Sequence, residues 1–163
     1  RPEGEITGDL QAKSSAASAI AQFWTNPKHA LEAVQNGSKL VMSPARRTYL
    51  DMQYDSTTKL GLHWAAYIEV DSAYDWNPTT LVKGIARENI LGIEAPLWTE
   101  TITNMDEIEY MVFPRIMGIA EIAWSPEGGR SWDEYKFRLG NQAPRLNALK
   151  IDYYKSSKVP WAE

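Results

Sequence analysis

Three short apolar segments most constrain what this chain can fold into. They are residues 19–24 (AIAQFW), 39–43 and 90–98, which have the length of β-strands, and segments with helical patterns follow them. Short strands that alternate with helices are typical of parallel β/α units. Three such strands with a long aromatic loop make a poor complete domain. The pattern therefore favours either an open α/β sheet or a piece of a larger structure such as a (β/α)8 barrel.

Apolar residues three or four apart predict where the helices lie. The helical segments are residues 27–37, 104–124 and 131–151. Asn104 and Ser131 are suitable first residues, because their side chains accept hydrogen bonds from the first helical turn. Pro114 should kink or divide the second helix, and an interruption is expected at residues 140–144 of the third. Residues 45–80 are aromatic and irregular.

Composition excludes several classes of function. A net charge of −4 favours neither nucleic acid nor an anionic membrane as a partner, and no apolar run approaches the ~20 residues that span a bilayer. The chain has no cysteine, and no cluster of His, Asp and Glu has metal-ligand spacing, so no metal or other cofactor is expected. Residues 1–18 are polar, lack the apolar core of a signal peptide and are predicted to form a loop or linker.

Aromatic and acidic residues follow two of the predicted strands at the same spacing. Tyr49-x-Asp51 comes soon after the second strand, and Trp98-x-Glu100 ends the third, in a chain with seven Trp and eight Tyr residues. Residues two apart in an extended segment point to the same side. Each pair is therefore able to present an apolar wall and an acceptor to one pocket. Sugars need this combination, because their C–H faces pack on aromatic rings and their hydroxyls donate to carboxylates.

Several longer motifs carry a specific resemblance. In chain order they are YLDMQYD (49–55), GLHWAAY (61–67), YDWNP (74–78), GIEAPLWTE (92–100) and VFPRIMGIAEIAWSP (112–126). Together they resemble the C-terminal part of the catalytic barrel of family 20 glycoside hydrolases, the β-N-acetylhexosaminidases. The resemblance runs from about Trp24 to the end of the chain. It implies an α/β fold, a (β/α)8 TIM barrel of which residues 19–163 supply about the last three β/α units.

The resemblance also implies a glycosidase activity. The family removes terminal N-acetylglucosamine or N-acetylgalactosamine from glycans or chitin oligomers with retention, and the substrate's own acetamido group is the nucleophile. Tyr49 is implied as the catalytic residue, whose hydroxyl hydrogen-bonds the acetamido oxygen and orients it for attack. Trp24, Trp64 and Trp98 are implied to wall the acetamido methyl group and the sugar ring.

Two carboxylates, those of Asp51 and Glu100, are implied to accept hydrogen bonds from the C4 and C6 hydroxyls. The family's general acid is a Glu that follows an Asp at a strand end, whereas Asp-Glu occurs here at residues 106–107 and 133–134, both at predicted helix starts. We therefore expect a fragment that lacks the acid pair and is inactive alone. Its expected partners are an amino-sugar oligosaccharide and either the remainder of the barrel or a second copy. An extracytoplasmic or secreted location is favoured for the parent protein.

Plainer interpretations of the same residues stay open. The three tryptophans are candidates for ordinary core residues, Asp51 for a turn residue and Glu100 for a helix-start acid. Glu94 is expected to hydrogen-bond within the strand layer rather than to take part in catalysis. His63 is expected to be a polar surface or hydrogen-bonding group. A non-catalytic carbohydrate-binding or interaction module is the alternative function of the whole chain.

Overall fold

A computed structural model describes residues 19–163, which fall into two compact units. Within the described residues, the first unit contains 19–44 and 78–94, and the second contains 45–77 and 95–163. Residues 1–18, for which a loop or linker is predicted, lie outside the described residues. Each unit therefore draws on segments that are distant in sequence.

The first unit is built on a sheet in which the described residues form three parallel strands. β1 is Ile20–Phe23, β2 is Lys39–Met42 and β3 is Ile90–Ile93, with β2 in the centre. The strands predicted at 19–24 and 39–43 are confirmed to within one residue at each end. The parallel arrangement is also the one predicted from the alternation of strands and helices.

Helix α1, Pro27–Gln35, makes the crossover from β1 to β2. It begins where predicted, because the Asn26 side chain accepts a hydrogen bond from the backbone of the first turn (3.0 Å) and a proline occupies the first helical position. The helix packs on β1 and β2. Its buried residues are Ala30 and Ala33, whose small side chains permit a close approach to the sheet.

The third strand is shorter than predicted, because β3 ends at Ile93 rather than at residue 98. The backbone N–H of Glu94 still donates to the carbonyl of Met42 (3.0 Å). Pro96 then follows, and proline has no N–H to donate to a neighbouring strand. The Glu94 carboxylate accepts a hydrogen bond from the Gln22 side chain (2.7 Å), so the expected polar link across the strands is present, at an exposed position.

The described residues of the second unit form six short α-helices. They are α2 (Ala45–Thr48), α3 (Val70–Tyr74), α4 (Met105–Val112), α5 (Arg115–Trp124), α6 (Trp132–Gly140) and α7 (Ala143–Ala148). The predicted division at Pro114 separates α4 from α5, and the predicted interruption separates α6 from α7. Asn104 and Ser131 cap α4 and α6, because each side chain accepts from the backbone N–H three residues later (3.0 and 3.3 Å). No helix within residues 19–163 is long and apolar enough to cross a membrane.

Aromatic stacking and hydrogen bonds join α3, α5 and α6. The rings of Tyr74 and Tyr135 lie nearly parallel, with centroids 3.9 Å apart. A Cβ at Gly118 would meet these two side chains at 3.1 and 3.2 Å, so glycine lets α5 approach them. The Tyr74 hydroxyl donates to Glu121 (2.6 Å), and the same carboxylate binds Arg138 through both of its oxygens (2.5 and 2.7 Å). This network fixes α3, α5 and α6 to one another.

Candidate functional site

A buried acid, Asp51, lies in the loop that follows α2. Its side chain is 2% exposed, and its Oδ1 atom accepts no hydrogen bond from the described residues 19–163. A buried polar atom without a partner costs on the order of 1–3 kcal/mol, and more when it is charged. Proteins satisfy nearly all such groups, so an unpaired carboxylate oxygen marks a place where function opposes stability. The position suits a ligand that donates a hydroxyl.

Burial raises the pKa of Asp51 above its ordinary value. Hydrogen bonds from its own backbone and from that of Trp98 act in the opposite direction, as does the positive charge of Arg115. The negative charge of Glu100 raises the pKa further. The Trp98 backbone and the Glu100 charge therefore both act on the Asp51 carboxyl group within the second unit.

Backbone hydrogen bonds hold the Asp51 loop against two other segments. The N–H of Leu50 donates to the carbonyl of Pro96 (2.8 Å), and the N–H of Leu62 donates to the carbonyl of Asp51 (2.8 Å). Gly61 permits the second contact, because a Cβ there would lie 2.6 Å from the Asp51 carbonyl oxygen. Its φ of 95° is also one that favours glycine. The segment predicted to be irregular is therefore ordered around Asp51.

A buried arginine supports the same loop from the first residue of α5. Arg115 is 1% exposed, and its two terminal nitrogens donate to the carbonyl oxygens of Leu50 (2.6 Å) and Met52 (2.7 Å), on either side of the acid. They also donate to the carbonyls of Ile68 and Met111 (3.1 and 2.6 Å). No role was predicted for this residue. The available signal was a lone arginine in the otherwise apolar start of the helix RIMGIAEIAW.

Tyr49 and Trp64 are in direct contact with each other. In sequence, Tyr49 lies two residues before Asp51, and Trp64 lies more than ten residues after it. Their rings meet edge to face, with centroids 5.9 Å apart and planes at 82°. Tyr49 is buried, whereas Trp64 and Trp98 are each 55% exposed. The interpretation of Trp64 and Trp98 as plain core residues is therefore wrong. Accessible aromatic faces near a buried carboxylate suit the C–H face of a sugar.

The second unit contains five of the six predicted site residues. These five are Tyr49, Asp51, Trp64, Trp98 and Glu100. Trp24 lies directly after β1 in the first unit and is partly exposed, and its role stays a prediction. His63 stacks on Tyr67, with ring centroids 5.5 Å apart. Within residues 19–163, no group of three or more His, Asp and Glu side chains is arranged to hold a metal ion.

Comparison with known proteins shows the family. The sequence model for glycosyl hydrolase family 20, catalytic domain, matches residues 5–127. The chain belongs to glycosyl hydrolase family 20. The match includes every predicted site residue.

Relatives within family 20 are similar in both sequence and fold. A β-N-acetylhexosaminidase of Cellulomonas fimi is 41% identical over 145 residues, which cover 87% of this chain and 29% of that protein. The solved β-N-acetylhexosaminidase of Streptomyces coelicolor A3(2) matches with a TM-score of 0.85 and 47% identity, over 88% of this chain and 31% of that one. An exo-β-N-acetylglucosaminidase of Vibrio harveyi, solved with N-acetylglucosamine, matches with a TM-score of 0.77 and 31% identity, over 93% and 24% of the two chains.

This family 20 chain spans less than a third of the length of these relatives. The solved family 20 structures imply a TIM-barrel fold. The parallel sheet of β1, β2 and β3 is consistent with a portion of such a barrel.

The two Asp-Glu pairs of this family 20 chain lie in the first turns of helices, as predicted. Glu107 accepts from the backbone N–H and the hydroxyl of Thr103 (2.6 and 2.9 Å), and these hydrogen bonds lower its pKa. Asp133 pairs with Lys136 within α6 (2.7 Å). Both pairs therefore have local roles at helix N-termini, where acids are stabilised by the exposed N–H groups.

Proposed function

We propose that this chain supplies the amino-sugar pocket of a β-N-acetylhexosaminidase. The enzyme would hydrolyse terminal N-acetylglucosamine or N-acetylgalactosamine from glycans or chitin oligomers with retention of configuration. The observation that carries the proposal is Asp51, a buried carboxylate with an unpaired oxygen, on which the Trp98 backbone and the Glu100 charge both act. Membership of a glycosidase family supports the reaction class, and the relatives' names support the sugar.

Tyr49 has the catalytic role in this proposal. Its hydroxyl donates to the carbonyl oxygen of the substrate's acetamido group and holds that oxygen below C1. The oxygen forms a bond to C1 as the bond from C1 to the leaving oxygen breaks, which gives an oxazolinium intermediate that water then opens. An internal nucleophile held in attack geometry gains much of its rate from orientation. The contact with Trp64 supports this role, because it limits rotation of the Tyr49 ring.

The carboxylates and tryptophans bind the sugar in this proposal. Asp51 and Glu100 accept hydrogen bonds from the C4 and C6 hydroxyls, each worth about 1.5–3 kcal/mol because the acceptor is charged. A hydroxyl donated to Oδ1 of Asp51 would satisfy the atom that the protein leaves unpaired. Trp64 and Trp98 pack on the ring and the acetamido methyl group, and the family resemblance assigns the same role to Trp24.

In this proposal, neither of the two Asp-Glu pairs is the general acid that protonates the leaving oxygen. Both pairs are engaged at helix N-termini, where Glu107 accepts hydrogen bonds from Thr103 and Asp133 pairs with Lys136. We therefore expect the isolated 163-residue chain to bind the sugar weakly and to show no turnover. Turnover by the isolated chain would contradict this part of the proposal.

The finer assignment of the fold is also a proposal. We assign β1, β2 and β3 to about the last three strands of a (β/α)8 barrel. β1 and β3 each pair on one side only among residues 19–163, and an unpaired strand edge invites a further strand. The isolated chain is therefore expected to associate with itself or with the remaining barrel segment. Sedimentation of the isolated chain as a monomer with a cooperative thermal transition would contradict this assignment.

The proposed function is tested on the full-length protein with 4-nitrophenyl N-acetyl-β-D-glucosaminide. The Asp51→Asn variant should lower kcat/KM by about 10- to 100-fold, because a charged acceptor is lost. Asp75→Asn, a change at an exposed acid after α3, is the matched control and should leave kcat/KM within about twofold. A folded full-length protein that binds N-acetylglucosamine without turnover would instead support the carbohydrate-binding module.

A further inference from the structure

Three consecutive carbonyl groups at the centre of the site are held by donors from other segments. The carbonyl of Asp51 accepts from the N–H of Leu62 (2.8 Å). The carbonyls before and after it, those of Leu50 and Met52, both accept from the guanidinium of Arg115 (2.6 and 2.7 Å). The backbone at Asp51 is therefore fixed by its main chain on three successive peptide groups.

The guanidinium is suited to this contact by its shape. Its terminal nitrogens lie in one plane and donate in fixed directions. Nη2 of Arg115 holds the carbonyl before the acid and Nη1 holds the carbonyl after it, so the distance between these two carbonyls is set by a rigid group. The Tyr54 ring lies 3.9 Å from Cζ and holds the guanidinium plane by a cation–π contact.

The four hydrogen bonds described for the Arg115 guanidinium all go to carbonyl oxygens, and its charge also interacts with those of Asp51 and Glu69. A buried cation is costly to desolvate, and an apolar residue of similar size often gives equal or greater stability. Its hydrogen bonds to the peptide groups on both sides of Asp51 therefore call for a functional account. The same charge acts electrostatically on Asp51 and opposes the rise in the pKa of that carboxyl group.

We propose that Arg115 is a positioning residue for the sugar site: it sets the place of the Asp51 carboxylate by clamping the peptide groups on both sides of it. This inference rests on the proposed role of Asp51 in binding the sugar. Arg115 itself is fully buried and touches no substrate. A displacement of the loop by a fraction of an ångström would weaken the hydrogen bonds between Asp51 and the sugar hydroxyls.

The test is a double-mutant cycle in the full-length protein with Arg115→Lys and Asp51→Asn. Lysine keeps the charge and donates to carbonyls, but it lacks the planar fork. Arg115→Lys should lower kcat/KM by about tenfold when Asp51 is present and by less than about twofold in the Asp51→Asn background. The thermal stability of all four proteins is measured in parallel, since a purely structural role changes stability without this coupling.

Tyr74→Phe is the matched control, because it removes another buried polar contact, the hydrogen bond to Glu121, without touching the Asp51 loop. Its effect on kcat/KM should be the same in both backgrounds. Equal, additive losses from Arg115→Lys in the two backgrounds would overturn the positioning role. An Asp51→Asn variant with wild-type kcat/KM would instead overturn the proposed role of Asp51.

A second substitution, Arg115→Gln, is used if the lysine variant does not fold, because the glutamine amide still donates to carbonyls. The same loss of effect in the Asp51→Asn background is expected. Failure of both variants to fold, beside a folded Asp51→Asn protein, would overturn the proposal, since Arg115 would then be needed for the fold rather than for the place of the acid.

Discussion

The rings of Tyr49 and Trp64 meet edge to face, with 5.9 Å between their centroids and 82° between their planes. One ring is buried and the other is more than half exposed. The contact thus links a fixed hydroxyl-bearing ring to a face that a ligand is able to reach. A substitution that removes the hydroxyl group and keeps the ring tests this arrangement most directly.

Tyr49→Phe should lower kcat by about 100-fold and change KM much less, because a donor aimed at the reacting acetamido oxygen acts mainly in the transition state. The ring and its contact with Trp64 are kept. Steady-state kinetics with 4-nitrophenyl N-acetyl-β-D-glucosaminide measure the effect. Tyr67→Phe removes a hydroxyl from an exposed ring that stacks on His63 and should leave kcat within about twofold. A fall in kcat equal to that of the control would contradict the catalytic role of Tyr49.

Trp98→Ala should raise KM by about tenfold, because the sugar loses an aromatic face that is worth on the order of 1 kcal/mol beyond its area. The thermal midpoint should change little, since the Trp98 side chain is 55% exposed. Trp124→Ala is the control, because Trp124 is 89% exposed at the end of α5. Inhibition by N-acetylglucosamine measures binding in both variants. Equal inhibition constants in the two variants would remove Trp98 from the sugar site.

Gly61→Ala should destabilise the protein by about 1–3 kcal/mol, because a side chain is strained at a φ of 95° and would lie 2.6 Å from the Asp51 carbonyl oxygen. Urea unfolding measures the free energy. Gly92→Ala is the control, because a Cβ at that position in β3 has no heavy atom within 4 Å and should change stability by less than about 0.5 kcal/mol. Similar free energies of unfolding for the two variants would contradict the close contact between Gly61 and the Asp51 carbonyl oxygen.

The stability of the ligand-free protein should depend on pH through Asp51. Its pKa in the folded protein is raised by burial, so its contribution to stability is full below the unfolded pKa of about 4 and is lost as the pH rises through the folded pKa. As the pH rises from acidic to neutral, the wild type should lose thermal stability, and the Asp51→Asn variant should therefore become more stable relative to it. Thermal unfolding followed by circular dichroism over this range measures the difference.

Asp55→Asn is expected to show the opposite dependence. Hydrogen bonds, first from the Thr57 side chain, lower the pKa of Asp55 to about 2. Its contribution is present above the unfolded pKa and is lost as the pH falls towards 2. The Asn variant should thus be less stable than the wild type at neutral pH, and the difference should shrink in acid. Parallel pH profiles for the Asp51 and Asp55 variants would contradict one of the two assignments, and the sign of the shared dependence would show which.

Helix boundaries were predictable because their signals are local. Asn104 and Ser131 act within one turn, and Pro114 interrupts a helix through its own ring. The third strand was predicted to be too long, because its apolar residues continue to Trp98 although its last hydrogen bond to β2 comes from Glu94. An apolar sequence predicts that a segment is buried, but it does not predict which backbone groups of the neighbouring strand the segment will hydrogen-bond.

The site was predictable in part for the same reason. The spacing of Tyr49 and Asp51 and the family motifs are visible in the sequence, so the candidate side chains could be named from it. The burial of Asp51 and the clamp by Arg115 could not be predicted. They depend on hydrogen bonds between residues that are 63 and 65 positions apart in the sequence. No local pattern encodes which carbonyl groups a distant guanidinium will meet.

The clamp by Arg115 acts on carbonyl groups, which every amino acid carries. The side chains at positions 50 and 52 are buried, at 2% and 0% exposure, so they are constrained only by the volume that they fill. Leucine, isoleucine and methionine are therefore interchangeable there as far as the acid is concerned. The side chains that pack at positions 50 and 52 are therefore able to change in evolution without loss of the hydrogen bonds that Arg115 makes to the carbonyl groups there.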